Sequence, residues 1–278
     1  MQAQRIILND IQTIDNQFVC ADERLFDSAL YSRFKYGSGQ AAAHYAAQMY
    51  EVLRDKLTQV SGQWLITASA YKYVPTASNA IADAIYALIT NNLPAIKIEK
   101  IKIRRQRLFA SDYGNLDEEQ RKNLMRQTDL QIDEEQVKGR NLIVVDDICV
   151  TGSHERRIAE MLGKTQVAQV YFLYVGQCRP PVVPNVEHRL NHEWMKSVEN
   201  LLYIIENEYF IINARVCKFL LSYPYLPDLQ AFYAQLSLDW LLSFQANMCG
   251  DGYDQMPEYA DNYQILSNVI QQKRCFTI

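Results

Sequence analysis

Residues 142–157 read LIVVDDICVTGSHERR: an apolar run, two adjacent carboxylates, a Thr-Gly-Ser turn and a polar stretch suited to a helix. An apolar run with no polar alternation is the pattern of a strand covered on both faces, the usual condition of a parallel sheet flanked by helices. In an open sheet of that kind, ligands bind at the carboxyl ends of the strands, where Asp146 and Asp147 stand. Thr151, Gly152 and Ser153 then offer backbone N–H groups and two hydroxyls at a helix N-terminus, which suits phosphate. Carboxylates repel phosphate, so their partners are sugar hydroxyls or a hydrated Mg²⁺. A ligand with both a phosphate and a diol satisfies the whole segment.

The surrounding chain supports the same architecture. Residues 40–57 (QAAAHYAAQMYEVLRDKL) carry apolar positions at helical spacing, and 64–68 (WLITA) is a short apolar strand. Helical spacing resumes over 76–90 just after Pro75. Residues 95–103 (AIKIEKIKI) alternate with period two, as in a strand with one solvated face. Residues 117–126 read as a helix begun by Asp117, 153–162 as another, and 168–175 (AQVYFLYV) as a further strand. Strands and helices thus alternate over 40–176, which predicts an open, mainly parallel α/β sheet. The opening thirty residues show no clear period. After RPPVVP (179–184), stretches such as 197–206 and 226–245 read as helical and are rich in Tyr, Phe, Leu and Ile. Two parts are therefore expected: a core over 1–184 with an N-terminal extension, and a helical region over 185–278 packed on it.

Composition narrows the partners. The chain has 278 residues, 49% of them hydrophobic and 22% charged, which excludes a disordered or low-complexity protein. Its formal net charge of −4 excludes a surface-wide field for polyanions. The N-terminal MQAQRIILNDIQ has no secretory pattern, and the apolar stretch 209–225 is interrupted by Arg215 and Lys218. The six cysteines form no CxxC pair, which fits reduced thiols. A cytoplasmic protein with no membrane partner is expected.

VVDDICVTGS (144–153) resembles the signature of type I phosphoribosyltransferases. The resemblance implies that Asp146 and Asp147 bind the ribose hydroxyls of phosphoribosyl pyrophosphate (PRPP) and that Val150, Thr151, Gly152 and Ser153 hold its 5′-phosphate. It implies Mg²⁺ bound mainly through PRPP, and a small nitrogenous acceptor. Ala70, Tyr71 and Lys72, after the WLITA strand, resemble the family's pyrophosphate loop. RRQRLFASDYGNL (104–116) stands where the family has its catalytic loop, with Arg104, Arg105 and Tyr113 as candidate catalytic residues. In the 6-oxopurine enzymes of the family, the residue before the Thr-Gly turn is an acid that exchanges a proton with the purine. Here it is Val150. YSRFKYGSGQAAAHYA (31–46) and the helical C-terminus look more finely like the phosphoribosyltransferase-like proteins of bacterial stress or tellurium-resistance operons.

The expected activity is a Mg²⁺-dependent transfer of the phosphoribosyl group to a nitrogen, releasing pyrophosphate. The alternative is a PRPP- or nucleotide-sensing, or RNA-binding, regulator on the same fold. Nucleic acid is the less favoured partner, because the lysines and arginines of 97–107 fit a strand's solvent face and an acidic cluster follows them. A homodimer is compatible with the sequence. Gly37-Ser38-Gly39 follows no apolar strand and lacks a third glycine, so dinucleotide binding is set aside. His188 and His192 are spaced i, i+4 with no evident third zinc ligand. Cys149 beside two acids reads as a structural thiol.

Overall fold

The computed structural model describes residues 2–105, 130–180 and 182–275. Its first strands are β1 (Gln2–Ile14), β2 (Gln17–Cys20), β3 (Trp64–Ala68) and β4 (Ile98–Lys100). The others are β5 (Arg104–Arg105), β6 (Leu130–Gln131), β7 (Asn141–Cys149) and β8 (Gln169–Cys178). The main sheet has six strands in the order β2-β1-β8-β7-β3-β4, and β5 and β6 form a separate antiparallel pair. Every neighbouring pair in the main sheet is parallel except the β1–β2 hairpin. That hairpin turns on Asp15 and Asn16, both at positive φ, the conformation a two-residue hairpin turn requires. The fold is mixed α/β with a mainly parallel open sheet.

The apolar strands are explained by cover on both faces. Trp64, Ile66, Ile143, Val145, Tyr171 and Leu173 pack under α2 (Gly39–Gln59) and α3 (Ala77–Asn92). The alternate residues Leu65, Leu142, Val144, Val170 and Phe172 meet Ile158 and Leu162 of α5 (Ser153–Leu162), and Val137 at the end of α4 (Glu134–Val137). Alternation along each strand fills two cores from one apolar run. Ser38 caps α2 by accepting from the amide of Ala41, and Thr76 with Asn79 forms a capping box on α3.

Two local expectations change. The unperiodic N-terminus contains β1, an interior strand that pairs with β8 over most of its length, and α1 (Ser28–Lys35). The alternating 95–103 stretch pairs with β3 only over residues 98–100, and Ile101 and Ile103 beyond it turn into the core beneath α5. The expected helix over 117–126 lies outside the described residues.

After β8 the chain is helical: α6 (Val186–Asn191), α7 (Val198–Asn207), α8 (Ala214–Leu221), α9 (Leu226–Gln235), α10 (Leu238–Asp251) and α11 (Ala260–Cys275). These helices build a further core that also takes in Tyr36 and Val74 from the first half of the chain. Polar contacts tie the two halves. Glu208, nearly buried, pairs with Arg33 at 2.7 Å and accepts from Ser38 Oγ. The buried Asp251 accepts from the amides of Tyr73 at 2.8 Å and Val74 at 3.3 Å. Cutting back Asp251→Ala leaves those amides without their acceptor. It is expected to cost about 1–3 kcal/mol, read as a lower urea midpoint with unchanged slope. Limited proteolysis is expected not to separate residues 1–184 from 185–278; release of a stable, soluble fragment ending near Pro184 would contradict that.

Candidate functional site

Strand β7 outruns its neighbour β3: their pairing ends at Val145 with Ala68, whereas β7 continues beside β8 to Cys149. Asp146 and Asp147 occupy this overhang, open on the side that β3 has vacated. Their carboxylates are held locally, since Asp146 Oδ1 accepts from the amide of Asp147 at 2.9 Å and Asp147 Oδ1 from that of Ile148 at 2.6 Å.

Each acid also has a cationic or polar partner from elsewhere. Ser69 Oγ donates to Asp146 Oδ1 at 2.7 Å, and His154 Nδ1 donates to Asp146 Oδ2 at 2.8 Å. Burial works to raise the Asp146 pKa, but the His154 charge and hydrogen bond and the Ser69 hydroxyl outweigh it and hold it below the usual carboxylate range. The other ring nitrogen, His154 Nε2, is buried with no hydrogen-bond partner among the described residues. Lys35, buried at the last turn of α1, pairs with Asp147. A buried lysine needs such a counter-charge.

The turn after β7 is flanked by two guanidiniums. Gly152 stands at φ +66° and caps α5; a Cβ there would meet the Arg5 guanidinium at 3.3 Å and that of Arg156 at 3.5 Å. Thr151 and Ser153 share a hydrogen bond at 2.8 Å, and Arg156 donates to Thr151 O and Ser153 Oγ, both at 2.9 Å. Arg5 is oriented by Glu155 at 2.7 Å, which also accepts from Tyr174 Oη at 2.9 Å. Cys149 is buried beneath this turn, and burial pushes its thiol pKa up, which agrees with a structural thiol.

The two acids, the turn over 150–153, Lys35, His154 and Glu155 line a cavity of about 1200 Å³, which also takes in Ser69, Arg105 and residues of the C-terminal helices; Arg5 and Arg156 are not among its lining residues. The structure brings together Asp146, Asp147, Val150, Thr151, Gly152, Ser153 and Arg105 on this one cavity. Burial lowers the Arg105 pKa and nearby Arg157 lowers it further, against the opposing pull of Tyr253, Asp146 and Asp251. Two guanidiniums that repel one another beside a cavity favour an anionic guest.

Ala70, Tyr71, Lys72 and Arg104 are not among the residues lining it. Ala70 is fully buried. Tyr71 forms a bridge with Arg104 and carries Lys102 Nζ 3.9 Å from its ring centroid. Lys72 Nζ lies 3.4 Å from Asp251 O. Tyr113 lies outside the described residues. Lys35, Ser69, His154, Arg5 and Arg156 were not singled out from the sequence. Only His154 and Arg156 fall within the motif itself; the others reach it through long-range packing.

The sheet, the acidic overhang and the glycine turn that starts α5 together define a phosphoribosyltransferase-like α/β fold. A family model described as PRTase ComF-like, PRTase standing for phosphoribosyltransferase, matches residues 6–266, and the chain belongs to that family. No curated protein matches it. Among solved structures, the chain is similar to a hypoxanthine-guanine phosphoribosyltransferase from Bacillus anthracis, with 14% identity over 53% of this chain and 76% of that one and a TM-score of 0.34. It is similar also to a hypoxanthine phosphoribosyltransferase from Trypanosoma cruzi in complex with IMP, with 13% identity over 54% and 71% and a TM-score of 0.33. A hypoxanthine phosphoribosyltransferase from Staphylococcus aureus shows 13% identity over 51% and 70%, with a TM-score of 0.33. Among the described residues no helix is long and apolar enough to cross a membrane.

Proposed function

We propose that the protein transfers the phosphoribosyl group of PRPP to a nitrogenous acceptor, with Mg²⁺, and releases pyrophosphate. The observation that carries this reading is the convergence of two carboxylates, the Thr-Gly-Ser turn and Arg105 on one cavity. Asp146 and Asp147 accept from the ribose hydroxyls, exchanging their present partners for the ligand. The turn amides receive the 5′-phosphate, with Arg5 and Arg156 adding positive charge.

The acceptor nitrogen attacks C1 as the bond to pyrophosphate breaks, through a transition state of oxocarbenium character. Asp146 and Asp147 hold the ring for in-line attack, and Arg105 faces the charge that grows on the leaving group. Ala70, Tyr71, Lys72, Arg104 and Tyr113 are the remaining candidates for that end of the substrate. Two adjacent carboxylates beside an anion-facing turn fit a hydrated Mg²⁺ that arrives with the pyrophosphate rather than one caged by protein alone. Bound there, Mg²⁺ supplies positive charge to the departing pyrophosphate. The resemblance of residues 31–46 extends the proposal to a bacterial stress response.

A second reading, a PRPP-binding regulator without turnover, is favoured by one observation. Lys72 and the amides of Tyr73 and Val74 are engaged by Asp251, so the loop expected to meet pyrophosphate already has partners. Steady-state pyrophosphate release from PRPP and Mg²⁺ with a panel of nitrogenous bases separates the two. Continuous release that is lost with Asp146 and Asp147 supports the transferase; tight PRPP binding with no release under any base supports the regulator.

A further inference from the structure

The loop between β3 and α3 starts and ends at the cavity but does not line it between. Ser69 before it and Thr76 and Ala77 after it are lining residues, whereas residues 70–75 are not. The loop docks instead on the C-terminal end of α10, against Gly250, Asp251 and Gly252. The half-exposed Tyr73 ring fills the space that a side chain at Gly250 would take, since a Cβ there would lie 2.2–2.6 Å from the ring atoms Cδ1, Cγ and Cε1. One carboxylate, Asp251, receives two consecutive backbone amides: Tyr73 N–H on Oδ1 at 2.8 Å and Val74 N–H on Oδ2 at 3.3 Å. Lys72 Nζ lies 3.4 Å from the Asp251 carbonyl oxygen, in the last turn of the helix that Gly252 ends at φ +78°.

Two successive amides and an ammonium that converge on one residue form an anion site, the arrangement by which backbone nests hold phosphates. Its present occupant is poorly matched to its surroundings. Asp251 is 2% exposed and is the last residue of α10, where the helix dipole opposes a negative charge. Burial raises its pKa, and the two amides and the Lys72 charge offset only part of that. A carboxylate brings one charge on two oxygens. A pyrophosphate group brings more of both, and can meet the same amides together with Lys72 and the cavity-lining Arg105, whose own amide donates to Tyr71 O at 3.2 Å.

We propose that Asp251 is a latch: it occupies an anion site made by the amides of Tyr73 and Val74 and the Lys72 ammonium, and a pyrophosphate group displaces it, freeing Lys72 and Tyr73 to turn toward the cavity. Ala70 and Val74 are buried and anchor the two sides of the loop, whereas the Lys72 and Tyr73 side chains are exposed, so the move is confined to a few residues with little apolar surface to uncover. The C-terminal region thereby sets how readily the chain accepts a diphosphate. While the loop is docked the site is closed, and the apparent affinity is lowered by the fraction of molecules in which it is open. The turn toward the cavity rests on the reading of that cavity as a PRPP site; the displacement of Asp251 does not.

The test titrates inorganic pyrophosphate, PRPP and ribose 5-phosphate, each with Mg²⁺, into the full chain by calorimetry. Two variants open the latch in different ways. In Asp251→Asn, whichever way the new side-chain amide sits, one loop N–H faces an NH₂ group instead of an acceptor. In Tyr73→Ala, the ring that packs on Gly250 is removed from a half-exposed position and every backbone amide is kept. Each variant is expected to bind pyrophosphate and PRPP about fivefold or more tightly than the native chain, while ribose 5-phosphate, which has no pyrophosphate group, stays within about twofold. Adding Lys72→Ala to Tyr73→Ala is expected to remove the gain. Native pyrophosphate affinity in Tyr73→Ala would overturn the latch even where Asp251→Asn does not fold, and so would an equal gain for ribose 5-phosphate, the result of a general loosening. A gain for pyrophosphate in a chain that never turns over PRPP would keep the latch and remove the transferase reading; turnover by the native chain with unchanged affinities in the variants would do the reverse.

Discussion

Replacing Asp146 and Asp147 together by asparagine is expected to weaken PRPP binding in the presence of Mg²⁺ tenfold or more, and to abolish the rise in melting temperature that PRPP gives the native protein. A hydrogen bond to a charged acceptor is worth ~1.5–3 kcal/mol, and ~1.4 kcal/mol is a factor of ten in affinity, so the loss of two charged acceptors exceeds that threshold. Asparagine keeps the shape of each side chain, and its carbonyl can still accept from Ser69 and from the local amides. The change also removes the counter-charge of Lys35. Leaving Lys35 buried and unpaired destabilises the fold as well. The melting temperature without ligand therefore has to be measured alongside the calorimetric titration, at a temperature where the variant is folded. Equal PRPP isotherms for the native protein and the double variant would remove the two acids from the ligand site.

How far the fold could be read in advance followed from whether its signals were local. Strand β3, helix α3 and the β7-turn-α5 segment were legible because each depends on a contiguous pattern: an apolar run, a helical period after proline, a glycine at a helix start. Strand β1 was not, although it is interior to the sheet. It carries polar residues such as Asn9, which is 4% exposed and is satisfied by donating to Val175 O at 2.7 Å and accepting from Arg24. A polar residue whose partners come from other segments breaks the apolar run without breaking the strand. The site divides in the same way. The acids and the Thr-Gly-Ser turn are adjacent in sequence and were read together. Lys35 stands 112 residues from the acid it neutralises, and Tyr36 packs on His192 and Phe219. Neither pairing has a sequence period. That the C-terminal helices wall the same cavity as the acidic overhang follows only from the packing that seats them beside α1 and the loop after β3.

Hypoxanthine and guanine are expected to be poor substrates, and the reason is the side chain at position 150. In the 6-oxopurine enzymes that the signature resembles, an acid before the Thr-Gly turn exchanges a proton with the purine. Val150 neither accepts a proton nor hydrogen-bonds. Its side chain packs against the core shared with α2 and α3, so the position is committed to apolar contact. A positioned general acid or base contributes ~10²–10⁴-fold to rate, and nucleotide formation from these purines should fall short of an enzyme that has one by that order. The measurement supplies PRPP, Mg²⁺ and each 6-oxopurine to the native protein and to Val150→Asp, and follows nucleotide formation. Slow or undetectable turnover by the native protein, increased by the acid, is the expected result. Rapid nucleotide formation by the native protein would show that another group takes over the proton transfer and that position 150 does not decide the acceptor. Slow turnover in both would show that an acid at 150 is insufficient here, because the purine is not held where that acid can reach it.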